Sequence, residues 1–407
     1  YALDVTSPST FSEANASSIV KWEYSDPDLG YVFGQPSIVK LNTGEWAAVF
    51  SNGYNNSVAD GSASTTGYAY LYIVDIETGD LIKKISTKAG SVATPNALAT
   101  PTLVDRDGDG KVDYAYAGDL QGNMWKFDLC DANNQDVCAT NKNGWGVAYG
   151  ISTSPEPLFV AIDSSNNPQP ITSAVEVTRH FSGDGYQLYF GTGKYLENGD
   201  IATTGTQTFY SVWDIATSPS TISGRSELQQ QTITTTTTVS GKEYRTSSSN
   251  SVDWVDPASS AGTKRGWYMD LPESGERVVS DPALYSSRIL FTTLIPDAST
   301  CSGGGTGWLM ELDSVTGAAL GGPTFDVDGD GEVNTEDDLG TDDVYASGVK
   351  KASIPSAVRM QKNPGGPGGG SMNKWTSMSK KDTTTNTSLE NEINRLPPIQ
   401  NRSSWRQ

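Results

Sequence analysis

Two short stretches of this chain place carboxylates at every second position, a spacing that suits the binding of a divalent cation. The first stretch, DRDGDGKVD, has Asp105, Asp107 and Asp109 at positions 1, 3 and 5 of a calcium-type loop, and Gly110 at position 6. Such loops draw oxygen ligands from these positions and need glycine at position 6 for a sharp turn. The spacing therefore predicts a calcium site.

The end of this first loop departs from the usual twelve-residue pattern. Lys111 is at position 7, where only the backbone carbonyl binds the ion, so a basic side chain is tolerated. Tyr116 occupies position 12, where glutamate is usual, and we expect Asp113 at position 9 to complete the ligand shell. Clustered carboxylates repel one another unless a cation lies between them. A solvated acidic turn without an ion is the alternative interpretation.

The second stretch, DVDGDGEVNTEDD, has the full length of a twelve-residue calcium loop. Gly331 is at position 6, and the last position holds Asp instead of Glu, as in the dockerin variant of this loop. The predicted ligands, with the backbone carbonyl of Glu332 at position 7, are Asp326, Asp328, Asp330, Glu332, Asn334 and Asp337. This second calcium prediction depends on residue spacing alone.

The residues around the two loops have the alternating apolar pattern of β-strands. In residues 68–85, YAYLYIVDIETGDLIKKI, an alternating strand ends at Asp75 and the turn ETGD leads into a return strand. Residues 307–320 repeat this plan, with the return strand expected at Leu320. Shorter versions of the hairpin occur at residues 122–129, 208–215 and 265–272.

A second element, made of a proline, an apolar strand, a polar turn and another apolar strand, precedes these hairpins. It occurs at residues 35–50, 100–118 and 280–296. The two elements together supply four strands, and a four-stranded unit repeated about every 50 residues is typical of a β-propeller blade. Residues 20–355 accommodate about seven such blades, which predicts an all-β propeller after a lead-in over residues 1–20. A closed β-sandwich is the alternative.

Two internal segments and the C-terminal tail interrupt the repeat. Residues 229–240, QQQTITTTTTVS, are rich in β-branched threonine, which favours an exposed strand over a mobile insertion. Residues 363–373 are rich in glycine and predict a flexible loop. Residues 355–407 carry eight Lys or Arg against three Asp or Glu, so we expect this basic segment to dock on the acidic body. Its last strand, SSWRQ, is expected to close the ring of a propeller spanning residues 20–407.

Composition and charge limit the partners of the chain. It has 407 residues, a net charge of −20 and a pI of about 4.4, which makes nucleic acid and anionic membrane surfaces poor partners. No apolar run approaches the roughly 20 residues that a membrane helix needs. Because the chain starts at Tyr1 and shows no signal peptide, we expect a mature or partial form that lacks an N-terminal region.

Cysteine and histidine usage favours an exported protein that is not an enzyme. Cys130 and Cys138 flank a short polar loop and predict a disulfide in an extracytoplasmic setting, with two free thiols as the alternative. Cys301 has no obvious partner in the sequence. His180 is the only histidine, so a histidine-based triad or zinc site would have to centre on it, and we expect it instead at a surface turn.

Several of these motifs, in their order along the chain, resemble the C-terminal domain of the PilY1/PilC family of type IV pilus tip-associated adhesins. The resemblance extends from about Lys21 to Gln407. The segments that carry it are DRDGDGKVDYAYAGDLQGNMWKFDL, LYFGTGKYLENGD, QTFYSVWD, RGWYMDLP, ERVVSDPAL, LFTTLIP, GGTGWLMELD and SSWRQ.

The resemblance implies a modified seven-bladed β-propeller, similar in shape to quinoprotein dehydrogenases but not catalytic. It implies one calcium ion in the loop DxDxDGxxD, held here by the carboxylates of Asp105, Asp107, Asp109 and Asp113 and the carbonyl of Lys111. In this family the ion governs the balance between pilus extension and retraction. No Arg-Gly-Asp triplet is present in the sequence, so integrin binding through that motif is not expected.

The implied setting is outside the cytoplasm, at the pilus tip on the outer surface of a Gram-negative bacterium, with the periplasm as a transit compartment. The implied partners are minor pilins and a host-cell or abiotic surface, and the implied roles are pilus biogenesis, twitching motility and attachment. Two alternatives remain open from the sequence. One is a periplasmic quinoprotein oxidoreductase, and the other is a calcium-stabilised, carbohydrate-binding propeller.

Overall fold

A computed structural model describes most of the chain as β-strands joined by turns. The described residues are 1–58, 63–130, 142–259, 261–297, 304–340, 343–362, 371–379 and 389–395. The chain divides into two compact units: residues 1–177 with 220–223 form the first, and residues 178–219 with 224–407 form the second. The described strands group into seven sheets, so the all-β prediction is confirmed.

The first unit contains thirteen of the described strands, one short helix and three 3-10 turns. The helix α1 is Ala16–Ile19, and the 3-10 turns are Pro8–Thr10, Glu13–Asn15 and Lys142–Gly144. The strands are β1 (Ala2–Leu3), β2 (Val20–Trp22), β3 (Ser37–Lys40), β4 (Trp46–Ser51), β5 (Tyr68–Asp75), β6 (Leu81–Gly90), β7 (Thr102–Val104), β8 (Tyr114–Gly118), β9 (Asn123–Asp128), β10 (Gly146–Val147), β11 (Tyr149–Ile151), β12 (Ser154–Glu156) and β13 (Phe159–Val160).

Two sheets of this unit lie next to the first acidic loop. One is the antiparallel sheet β3-β4-β5-β6, and the other has the order β10-β9-β8-β7 with β13 also paired to β9. Alternating residues of both sheets, such as Leu71, Ile73, Trp125 and Phe127, pack into one buried cluster. Burial of this apolar surface is the main force that holds the sheets together. The pairs β1-β2 and β11-β12 are separate two-stranded ladders.

The second unit contains the remaining described strands, of which β14 starts just before the unit boundary, and two 3-10 turns, Asn198–Ala202 and Arg225–Glu227. Its strands are β14 (Glu176–Arg179), β15 (Tyr186–Gly191), β16 (Thr208–Asp214), β17 (Gln229–Gln231), β18 (Ile233–Val239), β19 (Lys242–Ser247), β20 (Gly266–Asp270), β21 (Ala283–Tyr285), β22 (Arg288–Thr292), β23 (Ile295–Pro296), β24 (Gly305–Asp313), β25 (Gly348–Lys351), β26 (Arg359–Lys362), β27 (Ser371–Ser377) and β28 (Leu389–Arg395).

Three sheets organise the second unit. Their orders are β14-β15-β16-β20-β17, then β18-β19-β25-β24-β22-β21 with β23 paired to β24, and finally β26-β27-β28. Phe209 and Phe291 stack within one buried cluster, with ring centroids 3.9 Å apart. Phe325 and Val327, which flank the start of the second acidic loop, belong to another buried cluster. This loop is therefore anchored to the core at its N-terminal end.

The repeat pattern predicted most strand pairs correctly and one of them wrongly. The hairpin over residues 68–85 is confirmed as β5 and β6, and the threonine-rich segment is confirmed as β17 and β18. The return strand expected at Leu320 is absent from the described residues that follow β24. Ala319 instead donates its N–H to the carbonyl of Ser248, and β25 takes the place beside β24. The second acidic loop is inserted between β24 and β25.

His180 is buried, so its expected position on the surface is wrong. Its side chain is 3% exposed and stacks on Trp213 with ring centroids 3.8 Å apart, while Trp254 packs against its edge. The residue does sit at a turn, because His180 N–H donates to Gly185 O and Gly183 N–H donates to His180 O. Aromatic partners from two distant segments cover the imidazole, and burial lowers its pKa to about 4.

A buried ion pair connects β24 to β27. Lys374 Nζ lies 2.6 Å from Glu311 Oε2 and donates to the carbonyl of Thr324 at 2.7 Å, and both charged side chains are fully buried. Arg288 Nη1 lies 2.7 Å from the other carboxylate oxygen of Glu311. The positive charges of Lys374 and Arg288 hold the pKa of Glu311 below its usual value against the opposing effect of burial.

Three expectations fall wholly or partly outside the described residues. Cys130 is disulfide-bonded, but Cys138 and Cys301 lie outside the described part of the chain, so its pairing stays a prediction. Most of the glycine-rich segment and the terminal SSWRQ also lie outside it. The residues that follow the glycine-rich segment form β27.

Candidate metal centre

The first acidic loop, residues 105–113, connects two antiparallel strands of one sheet. Val104 at the end of β7 pairs with Tyr114 at the start of β8. Gly108 and Gly110 turn the chain with φ angles of 81° and 83°, a left-handed conformation that glycine adopts without strain. The predicted glycine at position 6 is therefore used as expected, and the loop is a tight connection instead of an extension of the strands.

Three of the four predicted carboxylates in this loop lie together. Oxygen atoms of Asp105, Asp107 and Asp113 are all within 4.8 Å of one another. Asp105 is held by the loop backbone, because Oδ1 accepts Gly108 N–H at 2.7 Å and Oδ2 accepts Gly110 N–H at 2.8 Å. These hydrogen bonds fix the direction of the carboxylate and leave acceptor capacity on both oxygens.

Asp109 lies outside this three-carboxylate cluster, because it pairs with Lys111. Lys111 Nζ is 2.6 Å from Asp109 Oδ2, and the Lys111 N–H donates to Asp109 Oδ1 at 2.8 Å. These hydrogen bonds from Lys111 lower the pKa of the Asp109 carboxyl. We predicted only a carbonyl ligand from Lys111, and its side chain has this additional role.

Asp113 is the buried member of the cluster, with an exposed fraction of 1%. Its Oδ2 accepts Arg106 N–H at 2.7 Å, and its Oδ1 accepts Asn42 Nδ2 at 3.0 Å. Burial raises the pKa of this carboxyl, because its hydrogen bonds do not fully offset the cost of removing the ionised form from water. A nearby cation would supply that compensation.

Asn42 is a residue of this site that sequence reasoning missed. It lies in the turn LNTG between β3 and β4, 71 residues before Asp113. Val112 N–H donates to Lys40 O at 3.0 Å, and Leu41 forms a parallel bridge with Val112. The loop is thus hydrogen-bonded to a neighbouring hairpin. An asparagine in a polar turn was the available signal, but nothing in the sequence connects it to the loop.

The second acidic loop repeats the N-terminal half of the first. Asp326 accepts Gly329 N–H at 2.7 Å and Gly331 N–H at 3.0 Å, which matches the bonds of Asp105. Oxygen atoms of Asp326, Asp328 and Asp330 are all within 4.8 Å of one another. Here the position-5 carboxylate belongs to the cluster, in contrast to Asp109 of the first loop.

The C-terminal half of the second loop is held by Asp337. This side chain is 1% exposed and accepts Val327 N–H at 2.6 Å and Asn334 N–H at 2.8 Å. Asn334 in turn accepts Glu336 N–H through Oδ1 at 2.7 Å. Asp337 and Asn334 therefore stabilise the turn, and neither belongs to the three-carboxylate cluster. Glu332 donates its N–H to Asp330.

Each cluster can hold a metal ion, and the chemistry of the donors restricts its type. The predicted ligands are carboxylate, amide and carbonyl oxygens, and neither loop contains cysteine or histidine. Oxygen ligands of this kind favour hard cations such as calcium, magnesium or manganese over zinc or copper. The residues present in both loops therefore fit the expected calcium ion in donor type.

The fold and the acidic loops define a β-propeller protein with candidate cation sites in the turns between strands. The sequence profile of the PilY1 beta-propeller domain matches residues 9–240, which is more than half of the chain. The chain belongs to this PilY1 beta-propeller family, so both the family expectation and the propeller expectation are confirmed.

Named relatives and one solved structure agree with this assignment. Type IV pilus biogenesis factor PilY1 of Pseudomonas aeruginosa PAO1 is 34% identical over 90% of this chain and 32% of its own length. A PilY1 homologue from Xylella fastidiosa is 40% identical over 79% of this chain and 21% of its own length. The chain also matches the crystal structure of the P. aeruginosa PilY1 C-terminal domain, at 32% identity and a TM-score of 0.75. This match covers 91% of this chain and 75% of the crystallised chain.

The chain thus spans about a third or less of the curated relatives that it matches. These relatives are named as pilus biogenesis factors and not as oxidoreductases, so the expectation of a non-enzymatic protein is confirmed for the family. No helix among the described residues is long and apolar enough to cross a membrane.

Proposed function

We propose that this chain is a calcium-regulated domain of a type IV pilus biogenesis factor that acts outside the cytoplasm at the pilus tip. In this role it controls the balance of pilus extension and retraction, and with it twitching motility and surface attachment. Its partners are minor pilins and a host-cell or abiotic surface. Two facts support the proposal: the relatives are named for type IV pilus biogenesis, and the first acidic loop has the donors of a calcium site.

The observation that carries the calcium part is the grouping of Asp105, Asp107 and Asp113 at the end of β7 and the start of β8. Asp105 and Asp107 offer exposed carboxylates, whereas Asp113 offers a buried one. Calcium would supply the positive charge that offsets the mutual repulsion of these groups. The Lys111 carbonyl would add a neutral ligand, and Asp109 would join when it releases the Lys111 ammonium.

We propose a second calcium site in the other loop, held by Asp326, Asp328 and Asp330 with the Glu332 carbonyl. Asn334 and Asp337, the predicted ligands of positions 9 and 12, bond to backbone N–H groups and keep free lone pairs for an ion. Because Phe325 and Val327 are buried beside this loop, an ion here would mainly stabilise the fold of the second unit.

The test uses the full-length protein in its own bacterium. Cells carrying Asp107→Asn should show altered surface piliation and twitching, because the clustered carboxylate loses its charge while the loop keeps its shape. Asp184→Asn is a control for the loss of one surface carboxylate, since Asp184 lies outside both loops and its oxygens bond to Thr217 and Ala216. Normal piliation and twitching in the Asp107→Asn cells, with calcium binding shown to be lost, would contradict the regulatory role.

A further inference from the structure

We propose that Asn42, which lies outside the acidic loop, positions Asp113 for cation binding and couples the first loop to the β3–β4 hairpin. The inference rests on the proposed calcium site in residues 105–113. Asn42 comes from a different part of the sequence, and through it occupancy of the site would affect the β3–β4 hairpin.

Asn42 is itself held rigidly. It follows β3 in a tight turn in which Leu41 N–H donates to Glu45 O at 2.9 Å and Gly44 N–H donates to Leu41 O at 2.8 Å. Gly44 has a φ of 92°, which closes this turn. Leu41 is fully buried in the core of the first unit. The amide of Asn42 is therefore presented from a fixed backbone, which lowers the entropy cost of orienting its hydrogen bonds.

The Asn42 amide makes two contacts with the loop. Nδ2 donates to Val112 O and to Asp113 Oδ1, both at 3.0 Å. Asp113 Oδ2 already accepts the Arg106 N–H, so the two hydrogen bonds fix both oxygens of the carboxylate. A carboxylate oxygen can accept a hydrogen bond and bind a cation at the same time. Outer hydrogen bonds of this kind orient metal ligands, and their removal typically weakens metal binding by about 10- to 100-fold.

The second loop provides an internal comparison. In the described part of the chain, the hydrogen bonds found for Asp337 come from Val327, Asp328 and Asn334, which all belong to its own loop. Asp113 instead accepts a hydrogen bond from Asn42, which belongs to another hairpin. We therefore expect the first site to be coupled to its surroundings and the second site to be self-contained.

The coupling runs through backbone as well as side chain. Val112 N–H donates to Lys40 O, the last residue of β3, so a movement of Asp113 would also displace the end of β3. In the same hairpin Ile38 is 65% exposed and Trp46 is 55% exposed, so a conformational change of the hairpin would alter the protein surface. By linkage, a partner that binds the turn more tightly when calcium is present would strengthen calcium binding by the same factor.

The test is calorimetric titration of the full chain with CaCl2, in a background where Asp328→Asn and Asp330→Asn silence the second loop. Asn42→Ala should raise the calcium Kd by about tenfold or more. Thr43→Ala is the matched control, because the Thr43 hydroxyl bonds to Glu45 within the same turn and not to the loop; it should leave the Kd within about twofold.

Hydrogen exchange measured on the same proteins provides the second readout. Saturating calcium should slow amide exchange over residues 41–45 in the parent and in Thr43→Ala, but not in Asn42→Ala. An unchanged Kd in a folded Asn42→Ala protein, or equal slowing in all three proteins, would overturn the inference and leave the calcium site intact. A parent that binds no calcium would overturn the proposed site itself, and this inference with it.

Discussion

The Lys111 ammonium lies 2.6 Å from Oδ2 of Asp109, so the first acidic loop contains a positive charge of its own. The pair holds Asp109 away from the three clustered carboxylates of Asp105, Asp107 and Asp113. Both side chains of the pair are about one-third exposed, and exposed ion pairs are weak. A divalent ion bound in this loop would therefore compete with Lys111 for Asp109.

Removal of the competing ammonium is expected to strengthen calcium binding. In Lys111→Met the backbone carbonyl is retained and Asp109 is free to join the cluster, so calcium affinity should rise severalfold, roughly in line with ligand charge count. The measurement is calorimetric titration of this variant beside Lys88→Met, a lysine outside the loop. Equal affinities for the two variants would show that the pair does not oppose binding.

The four carboxylates of the first loop should not be equivalent. Asp107→Asn removes a charge from the three-carboxylate cluster, whereas Asp109→Asn removes one that Lys111 already neutralises. We expect Asp107→Asn to reduce calcium affinity more than Asp109→Asn does. Comparison of their Kd values by calorimetry tests this order, and a larger effect at Asp109 would mean that the ion displaces Lys111 completely.

His180 should make the stability of the chain dependent on pH. Its pKa is lowered to about 4 by burial in the fold, whereas an unfolded histidine titrates near 6.5. The unfolded state thus binds the proton first, and the histidine contribution to stability falls as pH decreases from about 6.5 to about 4. Between pH 7 and pH 5 the loss should be about 2 kcal/mol.

Carboxylates titrate in the lower part of the same range, so the histidine effect is measured as a difference. His180→Gln keeps a polar side chain and cannot be protonated there, and it should have a smaller loss of unfolding free energy between pH 7 and pH 5. Urea unfolding at both values provides the measurement. Since this is the only histidine in the sequence, parallel pH profiles for the two proteins would exclude the assigned burial effect.

The buried pair of Lys374 and Glu311 should be a large determinant of stability in the second unit. Lys374→Met leaves Glu311 buried with one cationic partner less, and loss of one member of a buried pair costs about 3–5 kcal/mol. Lys350→Met is the control, because its pair with Glu243 is partly exposed and should contribute under about 1 kcal/mol. Urea unfolding of the two variants measures the loss of unfolding free energy in each. Similar losses would contradict the large contribution expected of the buried pair.

The parts of the structure that the sequence predicted correctly are local in the chain. Strand alternation in residues 68–85 and the glycine turn at Gly110 each depend on a few neighbouring residues, and both are found as expected. The grouping of Asp105, Asp107 and Asp113 also follows from local spacing. In contrast, the pairing of Lys111 with Asp109 depends on a side-chain conformation that spacing does not specify.

The errors and omissions involve contacts between distant segments. Burial of His180 depends on Trp213 and Trp254, which come from other segments of the chain. The bond between Asn42 and Asp113 spans 71 residues. Neither contact leaves a periodic signal in the sequence, because it is created only when separate hairpins pack together.

Calorimetric titration of the full chain with calcium is the decisive measurement for the two proposed calcium sites. Two binding events are expected, with affinities on the order of 10⁻⁶ to 10⁻³ M. Asp107→Asn should weaken the first event, and Asp328→Asn combined with Asp330→Asn should remove the second. Calcium should also raise the melting temperature, because it binds the folded loops and not the unfolded chain. The absence of binding, or binding that persists unchanged in Asp107→Asn, would contradict the assignment of the first loop as a calcium site.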